Sequence, residues 1–366
     1  MTSIQWRTFC KQCIQRSLHL RSLFRSINMS EKESIPHSLF LKYNSIILMT
    51  AGLSLDTNSC KKVKVIRFII LLTSIYFLAF DYKYLCSFWD RIITFLKFFK
   101  VVWLISYGTS VLYLIVKRKM MIKMAKYFLK KLPPRKRCQV ERMTKIFMFF
   151  AIICMVFRFS VGVTRSFQHN FYIVRELFRI VIQEFLVRSC MVYSAFMYLT
   201  FTYTLHQLDR ISNSNDIDFI YKKIEHICLL LRHVDNQFCF IPFVCMSYNF
   251  FVVTFVVLNV RQKGFTLFYG TSLVIFYNLT ISFVLVLLTR MYRRIRHKLF
   301  FIEEQLSTRM DLQRFPVLME SLLNRIQMIT SWKMTGLGLF DLDTSLILSF
   351  GVHLITFTVM FITLEK

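Results

Sequence analysis

The apolar residues of this chain are gathered into long runs that are separated by shorter polar stretches. A helix needs roughly 20 residues to cross the hydrocarbon core of a bilayer, which is about 30 Å thick. Seven runs are long enough, and they cover residues 63–85, 92–116, 143–165, 177–205, 241–260, 266–289 and 342–364. The pattern predicts an all-α membrane protein with seven transmembrane helices.

An eighth apolar run, 39–55, is shorter than these spans and contains Lys42, Asn44 and Ser45. Its length and polarity predict a re-entrant or interfacial helix. Polar stretches 206–240 and 290–335 carry apolar residues at helical spacing, and both are predicted to be helical. These elements predict four segments. They are a cytoplasmic tail with its short helix (1–62), a six-span ligand-binding bundle with cytoplasmic helix extensions (63–289), cytoplasmic anchor helices (290–341) and a pore-lining last span (342–366).

Basic residues lie mainly in alternate loops. With the N-terminus inside the cell, 33 of the 48 Lys and Arg fall in cytoplasmic stretches, whereas the external loops hold six. Cytoplasmic loops of membrane proteins carry this excess, so the charges predict a cytoplasmic N-terminus and an extracellular C-terminus. That orientation is opposite to the one found in a G-protein-coupled receptor.

Composition agrees with a membrane location. A hydrophobic fraction of 55% and a mean hydropathy of +0.48 are too high for an ordinary soluble domain. The net charge of +28 would suggest nucleic acid in a soluble protein, but here it indicates contact with anionic lipids on the cytoplasmic face. We expect no nucleic-acid partner and no cofactor. The ten cysteines are expected to be buried thiols, and the Cys10 and Cys13 pair lacks a second pair that would complete a zinc site.

No enzyme constellation is visible, so ligand-binding residues are sought among polar and aromatic groups in the outer halves of the second to sixth spans. Core packing is the competing interpretation for each of them. Glu184, with Arg179 and Arg188 one turn away on either side, predicts either a structural ion pair or a ligand contact. The ligand-binding candidates are Trp103, Phe157, Arg158, Phe178, Gln183, Asn249, Phe250, Tyr269, Thr271 and Tyr277.

The last span has one mildly polar face in an otherwise oily helix. At 100° per residue, this face holds Ser349, His353, Thr356, Met360, Thr363 and Leu364. Such a stripe either packs against neighbouring helices or lines a water-filled path in an oligomer.

Two segments near the C-terminus resemble those of insect gustatory receptors. Residues 356–364, TFTVMFITL, resemble the family's TYhhhhhQF signature, with Phe for Tyr, Thr for Gln and Leu for Phe. The preceding stretch 338–343, GLFDLD, is similar to the family's G-x-F-x-hydrophobic-Asp/Asn sequence. The segment order, the inverted orientation and the length of the chain agree as well.

The resemblance implies a ligand-gated cation channel made of four subunits, either identical or mixed with related receptors. The last span of each subunit would line the pore, and a small-molecule tastant would bind among the other spans. By position, Thr363 and Leu364 would lie at the external constriction, where a ring of Leu364 would close the pore by expelling water. Glu365 would either place carboxylates at its mouth or be a solvated terminal residue, and His353, Thr356 and Met360 would belong to the pore-facing stripe.

The resemblance also implies a plasma-membrane location in gustatory receptor neurons and no requirement for a G protein. Two other functions stay open. A secondary transporter would show buried acids and an internal repeat, and neither stands out in the sequence. A non-channel scaffold or lipid-binding membrane protein is equally compatible with the composition.

Overall fold

The computed structural model describes residues 39–49, 65, 72, 94–169, 185–241, 243, 244, 247, 268–308 and 316–332, together with positions 345, 349, 352 and 356. All regular structure in these residues is α-helical, in agreement with the predicted class. In chain order the helices are α1 (Leu39–Met49), α2 (Thr94–Lys131), α3 (Pro134–His169), α4 (Phe185–Ser212), α5 (Ile217–Phe238), α6 (Phe268–Ser307) and α7 (Pro316–Thr330).

Helix α4 is the centre of the bundle. Helices α1, α2, α3, α5 and α6 all pack against it, and residues 188–204 are buried without interruption. A helix that is buried on every side cannot leave hydroxyl groups without partners. Ser194, Thr200, Thr202 and Thr204 therefore donate to the carbonyl oxygen four residues earlier, at 2.7 to 3.0 Å.

The long helices continue beyond the predicted spans. Residues 117–140, which the sequence suggests are a basic loop, instead form the end of α2 and the start of α3. Lys, Met, Ala and Leu have high helix propensity, so this stretch remains helical despite its charge. The break falls at Leu132 and Pro133, where two consecutive prolines disfavour a continuing helix. Similarly, α6 extends eighteen residues past its predicted span end, residue 289, to Ser307.

Helix α5 confirms the helical pattern predicted for 206–240. Asp216 caps its N-terminus, because the side-chain Oδ1 accepts from the backbone N–H groups of Asp218 (3.0 Å) and Phe219 (3.3 Å). The predicted apolar positions Ile224 and Ile227 are buried. Helix α7 packs across α5 and α6 and completes this end of the bundle.

The short helix α1 begins where the sequence predicts it and packs against α3 and α4. Phe40, Asn44 and Leu48 are buried on one face, and the side-chain N–H of Asn44 donates to the carbonyl of Phe40 at 2.9 Å. Ile46 is exposed. Helix α1 is therefore amphipathic, and its re-entrant or interfacial placement remains a prediction.

In the part of the chain that the structure describes, no helix combines the length and the apolarity needed to cross a membrane. The seven spans therefore remain predictions.

The expectation that the cysteines are buried is wrong for Cys138, which is exposed near the start of α3. This helix begins with a highly charged, solvated turn, and the cysteine lies on it. Cys154 and Cys190 are buried as expected, and Cys228 and Cys239 are half-buried.

Candidate functional site

Most of the predicted ligand-binding positions lie on three helices. Trp103 lies on α2, Phe157 and Arg158 lie on α3, and Tyr269, Thr271 and Tyr277 lie on α6. Phe157 is half-buried and packs against the core. The side chains of the other five lie outside the described residues, as do Phe178, Gln183, Asn249 and Phe250 altogether.

The register of α3 against α6 shows which of these positions lie at similar heights in the bundle. The rings of Phe150 and Phe283 are in contact, with centroids 5.4 Å apart. Because the helices run antiparallel, counting eight residues up α3 from Phe150 gives Arg158, and counting six residues back along α6 from Phe283 gives Tyr277. At 1.5 Å per residue, these positions lie roughly 12 and 9 Å beyond the ring contact. Arg158 and Tyr277 therefore stand at nearly the same level of the bundle.

At the other end of these helices, Asp209 of α4 joins α3 to α6. Its carboxylate accepts from the ammonium groups of Lys136 on α3, at 2.5 Å, and Lys298 on α6. Partial burial would raise the pKa of Asp209, but the two lysines lower it, and the net direction is downward. The aspartate is therefore ionised at neutral pH and links three helices.

An aromatic cluster lies beside this ion pair. The rings of Phe128 on α2 and Tyr203 on α4 stack with centroids 4.7 Å apart. The Tyr203 oxygen lies 3.5 Å from Nε2 of His226 on α5. Burial lowers the pKa of His226 to about 4, with a further contribution from the charge of Lys223. The histidine is therefore neutral at physiological pH and acts as a polar member of the core.

Helix α7 is held by one ion pair and one hydroxyl group. Arg325 lies 2.8 Å from Glu225 of α5 and above the ring of Tyr221, 4.8 Å from its centroid. The Tyr292 hydroxyl of α6 donates to carbonyls at the end of α7, including Ile329 at 3.1 Å and the carbonyl of Trp332 just beyond it. Burial raises the pKa of Tyr292 to about 12, so the phenol remains a donor.

Exposed apolar residues form stripes on α2 and α3. On α3 they are Phe149, Ile152 and Val156, spaced so that they share one face, and on α2 they include Leu112 and Val116. Singly exposed apolar residues are normal, but stripes of this kind indicate contact with lipid or with another chain.

The last span is described at four positions, all helical and all exposed: Ser345, Ser349, Val352 and Thr356. Their spacing places them on a single face of a helix. The Thr356 hydroxyl donates to the Val352 carbonyl at 2.9 Å, and a helix commonly satisfies a hydroxyl in this way. His353, Met360, Thr363, Leu364 and Glu365 lie outside the described residues.

One polar feature of the site, the double ion pair of Asp209, was missed by sequence reasoning. The Asp209 ion pair joins residues that are separated by 73 and 89 positions along the chain, so no local spacing marks it. Among the described residues, no group of His, Cys, Asp and Glu could hold a metal ion. Of the predicted Glu184 cluster, the structure describes Arg188, which is buried.

Solved structures of similar fold are known for this chain. The chain is similar to the insect olfactory receptor OR5 from Machilis hrabei, with a TM-score of 0.64 and 12% identity over 95% of this chain and 99% of that one. It is also similar to the same receptor in complex with eugenol, with a TM-score of 0.63 and 13% identity over 89% and 98% of the two chains. No protein-family model and no curated protein matches the sequence.

The chain therefore shares its fold with an insect olfactory receptor over nearly the whole length of both chains.

Proposed function

We propose that this protein is a subunit of a ligand-gated cation channel that serves as an insect chemosensory receptor, of the gustatory kind. The observation that carries the proposal is the fold shared with the olfactory receptor over nearly its full length. The C-terminal resemblance to gustatory receptors favours taste over smell within that fold. One of the similar structures holds eugenol, a small organic molecule, and a small tastant is the ligand proposed for this chain.

The tastant binds among the helices, near the level shared by Arg158 and Tyr277. The external loops are short, so they offer no domain that captures a ligand. A moderately apolar pocket lined by aromatic side chains and a few polar groups suits a small organic molecule. Phe157 supports this placement because it lies on α3 next to Arg158 and is only partly buried.

The last span lines the pore. Exposure of Ser349, Val352 and Thr356 on one helical face supports this role, because a pore-lining face stays uncovered within its own subunit. Four copies around one axis would bring these faces together around a path for ions. The basic helix ends on the cytoplasmic side would hold the subunits together and contact anionic lipids of the plasma membrane.

Recording from cells that express this chain alone, during application of a tastant panel, tests the proposal. We expect a cation current that appears with the ligand and persists in excised patches without GTP. The matched control is the same chain with Glu365→Lys, which should reach the surface but pass less cation current. A metabotropic receptor would lose its response in the excised patch.

A non-channel scaffold would show surface expression with no ligand-dependent current from this chain or from its mixtures with related receptors. Epitope tags separate the orientations. A tag at the N-terminus should be reached by antibody only after permeabilisation, whereas one after Lys366 should be reached on intact cells. Surface labelling of the N-terminal tag would contradict the proposed channel orientation.

A further inference from the structure

Two basic side chains, from α4 and α5, lie over one aromatic ring at the start of α5, and a third basic residue lies close enough to act on one of them. The guanidinium carbon of Arg210, on α4, lies 5.7 Å from the ring centroid of Phe219, and the ammonium nitrogen of Lys223, on α5, lies 5.5 Å from it. Burial lowers the pKa of Lys223, and the charges of Arg210 and Lys131 lower it further. Lys131, the last residue of α2, is thus a third neighbour. We name Lys131, Arg210, Lys223 and Phe219 the Phe219 basic site.

Two of the three nearest acids, Asp209 and Asp216, are already engaged elsewhere. Asp209, next to Arg210 in sequence, pairs with lysines of α3 and α6. The carboxylate of Asp216 caps α5, and Asp218 is exposed on its first turn. Within the described ranges, none of the three cations of the Phe219 basic site forms an ion pair. Like charges held together without a carboxylate create a local positive potential that an anion would relieve.

Neutral polar groups extend the site into the bundle. Tyr203 lies two turns before Arg210 on the same face of α4, and His226 lies one turn after Lys223 on α5. Their side chains are 3.5 Å apart. Since the pKa of His226 is about 4, the ring is neutral and offers one N–H donor without adding charge.

Along α2, the site stands well away from the exposed apolar residues. On α2, the exposed Val116 precedes Lys131 by fifteen residues, which corresponds to about 22 Å of helix. A lipid headgroup lies at the edge of the apolar zone, so the distance along α2 favours a ligand dissolved in the cytoplasm. On α6, the exposed Phe300 and Phe301 follow Lys298, whose partner Asp209 adjoins the site, so the experiment below compares the soluble ligand with a lipid.

We propose that the Phe219 basic site binds a soluble, multiply phosphorylated metabolite of the inositol polyphosphate class on the cytoplasmic side of the channel. Arginine can bind a phosphate with two parallel hydrogen bonds, and lysine adds a compact charge. Arg210 and Lys223 are both within 6 Å of one ring centre, so two phosphates on one small scaffold can contact them together. This ligand and its site are separate from the tastant and its pocket.

Calorimetric titration of the purified full-length protein in detergent, at fixed salt, with inositol hexakisphosphate tests the proposal. We expect saturable binding that Lys223→Gln weakens at least tenfold, since a charge-assisted contact is lost. Arg210→Gln should have a similar effect. The matched control is Lys222→Gln, which removes the same charge from an exposed neighbour and should change affinity less than twofold. Thermal unfolding without ligand shows that each variant is folded.

Two further arms identify the source of the phosphate. Inorganic phosphate should compete only weakly, because it carries one phosphate group where the proposed ligand carries several. Nanodiscs that contain a phosphatidylinositol bisphosphate should show no binding that depends on Lys223. If Lys223-dependent binding occurs only with those nanodiscs, the phosphate belongs to a lipid and the soluble ligand is overturned.

Equal losses in Lys222→Gln and Lys223→Gln, or the absence of saturable binding, would overturn the site itself. These readouts measure binding and need no current. Their failure is therefore distinguishable from failure of the channel proposal.

Discussion

The ammonium nitrogen of Lys136 lies 2.5 Å from Oδ2 of Asp209, and this contact fixes the start of α3 against the end of α4. Lys298 approaches the other oxygen of the same carboxylate, so one acid neutralises two cations from separate helices. Removal of the acid would leave the two lysines facing each other with no charge between them.

Asp209→Asn should therefore lower the stability of the protein. The side chains of Lys136, Asp209 and Lys298 are 29%, 34% and 44% exposed, so solvent screens the charges, and we expect a loss of about 1 kcal/mol. Thermal unfolding in detergent provides the measurement. The control is Glu304→Gln, which removes an acid at an exposed position of α6 and should leave the midpoint unchanged. An equal effect of both variants would show that net charge, and not the three-helix contact, is responsible.

The burial of His226 predicts loss of stability in acid. Its pKa is about 4 in the folded protein against an ordinary value of 6.5. Between these values the unfolded chain binds the proton and the folded one does not, so stability falls as pH drops through this window. Below both pKa values, the lowered pKa of His226 reduces the free energy of unfolding by about 3 kcal/mol. Unfolding midpoints measured from pH 7 to 4.5 should decrease, and the decrease should be smaller for His226→Gln.

His206 and His233 have pKa values lowered mainly by burial, so they act in the same direction. An unchanged slope in His226→Gln would assign the acid sensitivity to these two residues instead.

The proposed pocket predicts a selective loss of ligand sensitivity. Arg158→Ala and Gln183→Ala each remove a polar group from an otherwise apolar site, and a lost charged contact costs about 1.5–3 kcal/mol of binding. We expect a rightward shift of the dose-response curve by roughly one to two decades, with normal surface expression. Arg142→Ala, at an exposed position of the same helix, is the control. Parent-like responses from both pocket variants would place the ligand elsewhere.

The proposed pore predicts a helical pattern of accessibility in the last span. Cysteines at Thr356, Met360, Thr363 and Leu364 should react with a water-borne thiol reagent and block current, whereas Phe357→Cys and Phe361→Cys should not. Leu364→Ala should raise leak current, because a smaller apolar ring is wetted more easily. His353 belongs to the same predicted face, so protonation of its imidazole is expected to modulate current from the inner side. Reactive cysteines on the opposite face would exclude this helix as the pore lining.

The helical class could be predicted from the sequence because long apolar runs, scarce proline and apolar residues at helical spacing all indicate α-helices. The spacing of Ile224 and Ile227 gave α5 correctly, since its buried face repeats with the helical period. Residues 117–140 were harder, because a high density of lysine suggests a loop although lysine is a good helix former. Only the prolines at 133 and 134 mark the turn between α2 and α3, and two residues are too few to predict a helix boundary with a periodic pattern.

The polar contacts could not be predicted. Asp209 is one of several acids in polar stretches, and nothing local distinguishes it from the exposed Asp218. Its partners come from helices that are adjacent only in the folded bundle. The Phe219 basic site likewise depends on the packing of α2, α4 and α5. Spacing identifies the faces of a helix, but contacts between helices depend on their relative rotation and height.

The hydroxyl of Tyr292 links the position of α6 to that of α7. It bonds the carbonyls at the end of α7, where the chain leaves for the last span ten residues beyond Trp332. The same helix, α6, carries Tyr277 at the level of the proposed pocket. In the proposed channel, a tilt of α6 caused by a tastant would therefore reach the segment before the last span partly through the Tyr292 hydroxyl. We expect Tyr292→Phe to reduce maximal current while leaving ligand affinity intact. The residue would then couple ligand binding to opening of the pore without contacting the ligand.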